Sequence, residues 1–260
     1  MKLSLTLPLF AVFAAVADIA TLDHSADQEA MLRQVAEQDR RLRNNPKDAR
    51  AYIARGEAHF KLRDFERAIE DFTHAIRLND KLDDAYFGRG MARGRGGEID
   101  AGIADLGVYI KRNPKSSLAY TKRGVRYLWK GDVTNAERDF RQALKLDPEN
   151  AEAHDDLGVI LAQRGEYEAA VAHFQATIRA DPTYQKGFHN LALVHYLTGN
   201  PAEGIKHVDQ ALRLIPEARD SLLLKAAILE TLGREREARA IKEEAEFLPQ
   251  GDASARLPLQ

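Results

Sequence analysis

The sequence predicts an all-α chain built as a solenoid of antiparallel helix pairs, because three rows of residues recur every 34 positions. Pro46, Pro114, Pro148, Pro182 and Pro216 keep one register, with Asp80 in the remaining place. Small residues keep the same period at Gly56, Gly90, Gly124, Gly158, Ala192 and Ala226, and again at Ala68, Gly102, Ala136, Ala170, Gly204 and Ala238. A side chain larger than methyl at either small row would hold two crossing helices apart. The first row therefore marks one helix, and the second, twelve residues on, marks its partner. Bulk falls between them: Tyr52, Tyr86, Tyr120, His154 and Phe188 precede the first row, and Phe72, Leu106, Phe140, Phe174 and Val208 follow the second. The prolines end each unit, where a fixed φ and a missing N–H stop the second helix.

In chain order, residues 1–17 read as a secretory signal peptide. Lys2 supplies the charged start, Leu3 to Val16 the apolar run, and Ala15-Val16-Ala17 the small-residue cleavage site. The run is shorter than the ~20 apolar residues of a bilayer-spanning helix, so an uncleaved anchor is the alternative. Residues 18–48 divide into a polar lead up to Asp27 and a helix over Gln28–Asn44. Leu32, Val35 and Leu42 line one face of that helix, Glu29 opens it, and Arg40, Arg41 and Arg43 close it, as the helix dipole prefers. Pro46 keeps the common register, so this is the second helix of a repeat without its first, a cap on the stack. Six copies follow at 49–82, 83–116, 117–150, 151–184, 185–218 and 219–252. The last has Lys242 where the others carry bulk and no closing proline, and the solenoid is taken as 49–248. Residues 249–260, with Pro, Gly and Ser and no periodicity, are expected to be disordered.

The copy at 151–184 carries Leu157, Gly158, Gly165, Tyr167, Ala170, Phe174 and Pro182. This pattern resembles the tetratricopeptide repeat, and the six copies extend the resemblance over about three-quarters of the 260 residues. The resemblance implies a right-handed superhelix and a concave groove lined by the first helix of each pair. At the groove slots stand Ile53 and Phe60; Phe87 and Met91; Val125, Leu128 and Trp129; Val159; and His189, Leu193 and Tyr196. It also implies a protein or peptide partner. The Lys and Asn clamp with which some members hold a C-terminal carboxylate is absent, since Ile53 and Glu57 occupy its slots in the first copy.

A coupled change runs along the copies. Arg55, Arg89 and Arg123 precede the first small row in copies one to three, where Asp71, Asp105 and Asp139 precede the bulky position. Copies four and five read Leu157 with His173 and Leu191 with His207. The joint switch predicts that each Arg holds an Asp, across its own helix pair or on an adjacent repeat.

Net charge −2 and a pI near 6.5 give no electrostatic case for nucleic acid. The chain has no cysteine, hence neither disulfide, thiol nucleophile nor lipid-modified cysteine. No phosphate loop, zinc-protease or nucleophile-elbow motif occurs, and the eight histidines show no metal-ligand spacing. Gly94-Arg95-Gly96-Gly97 reads as the turn of the second copy. No catalytic, cofactor or metal site is therefore expected, nor membrane insertion once the signal is removed. The reading is a non-enzymatic adaptor or scaffold of the bacterial envelope, placed in the periplasm, or secreted or anchored if the leader behaves otherwise. The alternative is a structural subunit of a larger envelope or surface complex. Oligomeric state is not legible. Terminal sequencing of protein from a periplasmic extract should begin at Asp18; an intact Met1 in that fraction refutes the leader.

Overall fold

The computed structural model describes residues 24–248; the expected leader and tail lie outside them. Thirteen helices and no strands occupy the described residues. They are α1 (His24–Asn44), α2 (Ala49–Lys61), α3 (Phe65–Leu78), α4 (Asp83–Arg95), α5 (Ile99–Arg112), α6 (Ser117–Lys130), α7 (Val133–Leu146), α8 (Ala151–Gln163), α9 (Tyr167–Ala180), α10 (Gln185–Leu197), α11 (Pro201–Leu214), α12 (Arg219–Thr231) and α13 (Glu235–Glu246). They fall into two compact units, one ending at Leu146 and the other beginning at Asp147. Within each unit consecutive helices pack as pairs, and the architecture of the described residues is all-α.

Local chemistry fixes the boundaries. Asp48, Asp64, Ser116 and Asn150 each accept the backbone N–H three residues on, which satisfies an otherwise orphaned donor at the start of α2, α3, α6 and α8. Between paired helices one residue takes positive φ, at Arg63, Gly97, Gly131, Gly165, Gly199 and Gly233, a fourth row on the same period. Five are glycine because only glycine enters that region without steric cost. Two expectations need correction. Helix α1 begins at His24 rather than Gln28, with Asp27 in its first turn facing the helix dipole. Gly94 and Arg95 belong to α4, so only Gly96 and Gly97 form the turn.

The small row works by contact. A Cβ at Gly124 would lie 2.7 Å from the Phe140 ring, and one at Gly158 equally close to Phe174. Phe72, Leu106, Phe140, Phe174 and Val208 are all buried. Each unit is thus a ribbon of wedges in which a bulky side chain from the second helix sits against the backbone of the first.

The Arg and Asp residues pair within their own repeats. Arg55 holds Asp71 at 2.9 and 2.6 Å, Arg89 holds Asp105 at 2.8 and 2.8 Å, and Arg123 holds Asp139 at 2.6 and 2.8 Å, each as a two-toothed fork. The same guanidiniums reach back to the preceding second helix. Arg55 binds Asp39 at 2.6 Å, Arg89 binds the Thr73 hydroxyl at 3.3 Å, and Arg123 faces Gly107, all one slot on the 34-residue period. The Asp139 side chain is 1% exposed. Its loss leaves a buried guanidinium uncompensated, so Asp139→Ala should destabilise by about 3 kcal/mol. Arg123→Leu with Asp139→His, the combination standing at Leu157 and His173, should cost less. Urea unfolding of the full chain decides, and a double variant at least as unstable as the single one refutes the account.

Candidate binding groove

In the unit ending at Leu146, the first helices α2, α4 and α6 lie side by side. Ile53 and Phe60 pack against the core cluster around Phe72, with the Phe60 ring 5.6 Å from Phe65. Phe87 packs on Tyr109 of α5, their rings 5.0 Å apart. These three side chains are half-buried and engaged within their own repeats. Met91, Val125, Leu128 and Trp129 are also half-buried, on α4 and α6. In the unit beginning at Asp147, Val159 and Tyr196 keep partial exposure. His189 and Leu193 do not: at 4% and 3% exposed they have almost no surface to offer. Their assignment to a groove face gives way to packing between α10 and its neighbours.

Trp129 is neither core nor free surface. Arg95 from α4 lies 5.2 Å from the indole centroid, and Arg126, one turn before Trp129 on the adjoining face of α6, lies 4.7 Å from it. Arg126 is only 2% exposed and donates to the Met91 and Lys122 carbonyls at 3.4 and 3.3 Å. Its stem runs across Gly94, where a Cβ would come within 2.5 Å of Arg126 Nε. The sequence reading missed Arg126, a charge in a slot that is apolar and buried in the other repeats, at Ala58, Ala92, Ile160, Val194 and Ile228. The signal was Gly94, a glycine inside a helix, where it lowers helix propensity and calls for a packing reason.

The second unit buries a polar network along its first helices. Asn190 donates to Asp155 at 2.8 Å, linking α10 to α8, and Ser221 of α12 meets both Gln185 (2.8 Å) and His189 Nδ1 (2.9 Å). Burial pushes the Asp155 carboxyl up to about 6 against the opposing Asn190 bond and Lys186 charge. Burial pushes His189 down to about 4, opposed by Asp220. The histidines that replace the Arg–Asp rungs pair with histidines instead. His173 meets His154 Nδ1 to Nδ1 at 2.8 Å, and His207 stacks on His195 at 5.4 Å. Burial, then the neighbouring His195, lowers the His207 pKa. Among the described residues no three His, Asp or Glu side chains gather as a metal site, and no helix is long and apolar enough to cross a membrane.

Tetratricopeptide-repeat family models match residues 49–82, 84–116, 121–184 and 189–253. The chain belongs to the tetratricopeptide-repeat family, a class of helical scaffolds that bind other proteins or peptides. A search of curated proteins finds no match. Among solved structures it is similar to a chain of the APC/C hetero-tetramer Cut9–Hcn1, with a TM-score of 0.75 and 15% identity over 97% of this chain and 48% of that one. This chain thus spans about half of that longer one. It is also similar to PilW, a type IV pilus biogenesis factor, with a TM-score of 0.68 and 18% identity over 76% of this chain and 92% of that one. YrrB, a repeat protein with an unusual peptide-binding site, gives a TM-score of 0.54 and 19% identity over 71% of this chain and 95% of that one.

The buried network generates a pH prediction. His189, depressed from 6.5 to about 4, contributes stability that is present above pH 6.5 and lost as pH falls towards 4. Asp155, raised from 3.8 to about 6, does the reverse: its contribution is present below 3.8 and lost as pH rises through 6. Each is on the order of 3 kcal/mol, so together they nearly cancel. Asp155→Asn should therefore make the protein acid-sensitive between pH 6.5 and 4, and His189→Gln should make it more stable in acid. Thermal melts of the two variants with parallel pH slopes would sink this reading.

Proposed function

We propose that this chain is a non-enzymatic adaptor of the bacterial envelope that holds a protein segment against the first helices of its repeats. The observation that carries the reading is the part-exposed apolar set of Met91, Val125, Leu128 and Trp129 on adjacent helices α4 and α6, with Leu118 in the first turn of α6 51% exposed. A core residue would be covered and a solvated face would be polar; apolar side chains left part-open on neighbouring helices suit contact with a partner. Envelope placement rests on the leader pattern of residues 1–17. PilW's part in pilus biogenesis agrees with such a location and supports the second reading, a fixed subunit of a larger envelope assembly.

Met91→Gln with Val125→Gln keeps helix propensity while removing the apolar strip. Capture of binding proteins from a cell-envelope extract should fall by at least about tenfold, a loss of about 1.4 kcal/mol, with circular dichroism unchanged. Full capture by the folded variant would move the binding surface elsewhere. Elution at constant stoichiometry through dilution favours the assembly subunit; free exchange favours the adaptor.

A further inference from the structure

We propose that Arg95 and Trp129 form a receptor for an acidic segment of the partner protein, one in which a carboxylate stands next to an apolar side chain. The proposal rests on the groove reading above and adds the chemistry of the occupant.

Arg95 is the exposed last residue of α4. Its guanidinium carbon lies 5.2 Å from the Trp129 ring centroid, and its N–H groups hold no carboxylate among the described residues, so they can meet the planar carboxylate of a partner. The platform is itself held. Arg126, buried and bonded to two backbone carbonyls, fixes the indole through a second cation–π contact. A long side chain pre-set in this way loses less rotamer freedom on binding, which favours affinity.

Other arginines on the first helices of this unit show what such a group does when a carboxylate is near. Arg55, Arg89, Arg93 and Arg123 each hold one at 2.6 to 2.8 Å. Arg95 has no carboxylate partner among the described residues, although acidic residues follow it closely. Glu98 is taken by Arg93 at 3.4 Å and Asp100 by Lys130 at 2.6 Å. Glu98 and Asp100 are therefore drawn to other cations.

Register supplies the rest of the site. Lys61, Arg95 and Trp129 stand one 34-residue period apart at the C-terminal ends of α2, α4 and α6, and Lys61 also has no ion pair among the described residues. Met91 and Val125 lie one helical turn before Arg95 and Trp129, on the same faces. A register row holding Lys61 and Arg95 thus runs one turn from a row holding Met91 and Val125, and the complement is an extended segment with acidic residues on one side and apolar residues on the other.

Trp129 is the protein's single tryptophan, so its emission reports on the site directly. The full mature chain is titrated with a short blocked peptide of alternating Glu and Leu, with Gln-Leu and Lys-Leu counterparts, and with a short oligothymidylate. The Glu-Leu peptide should change the emission saturably and bind more weakly as salt rises. Arg95→Gln should weaken it about tenfold and Arg95→Lys less, since a lysine keeps the charge without the planar fork. Arg236→Gln on exposed α13 should change nothing. Equal binding of the Gln-Leu peptide overturns the acidic preference while leaving the groove reading intact. Unchanged affinity in Arg95→Gln overturns the receptor. Tighter binding of the oligothymidylate overturns it in favour of nucleic acid. No binding of any probe, with envelope partners still captured, overturns it and leaves the adaptor standing.

Discussion

Close approach of two helix backbones over a single ring governs this protein. At Gly124 and Gly158 there is no room for a Cβ between the first helix and the Phe of the second. That contact fixes how near the helices come and at which residue they cross. The rest of the repeat follows from it: first helices of thirteen or fourteen residues, second helices of fourteen in all but the last pair, and a left-handed residue at one slot between them. Helices this short are marginal alone, so burial of the ring row is what makes them persist.

Polar chemistry is layered on that frame in two versions. In the first unit a buried aspartate is met by an arginine that also reaches the preceding second helix, through an ion pair at Asp39, a hydroxyl at Thr73 and a bare backbone at Gly107. The forks of Arg55 and Arg89 join a repeat to the helix before it, and all three punish a slip in register, because a displaced fork would strand a buried charge. In the second unit the same slots hold His173 and His207, which pair with histidines and need no carboxylate while neutral. Burial there raises Asp155 and lowers His189, so two opposed titrations offset one another between pH 4 and 6.5.

The first helices serve two masters. Slots that the family resemblance assigns to ligand are partly spent on packing: Ile53, Phe60 and Phe87 lean on their own repeats, and His189 and Leu193 are closed over. What stays open is concentrated on α4 and α6, where a buried arginine props a tryptophan outward. The proposed binding surface is thus where repeats leave their own wedges part-filled.

The sequence by itself determined the helices, their pairing and that each Arg holds an Asp, because these depend on residues that a period of 34 makes visible, while the choice of the Asp in the same repeat came from the packed structure. Proline, glycine and the small rows act locally, and local constraints survive in one dimension. The tertiary structure decided the burial of Asp155, His189 and Arg126, and the emergence of Arg95 over Trp129. Those outcomes depend on how neighbouring repeats share volume and solvent, with partners 32 to 35 residues apart for His189, Asp155 and Arg126. A residue's own slot says which way it points; only the packed neighbour says whether anything is left to face water.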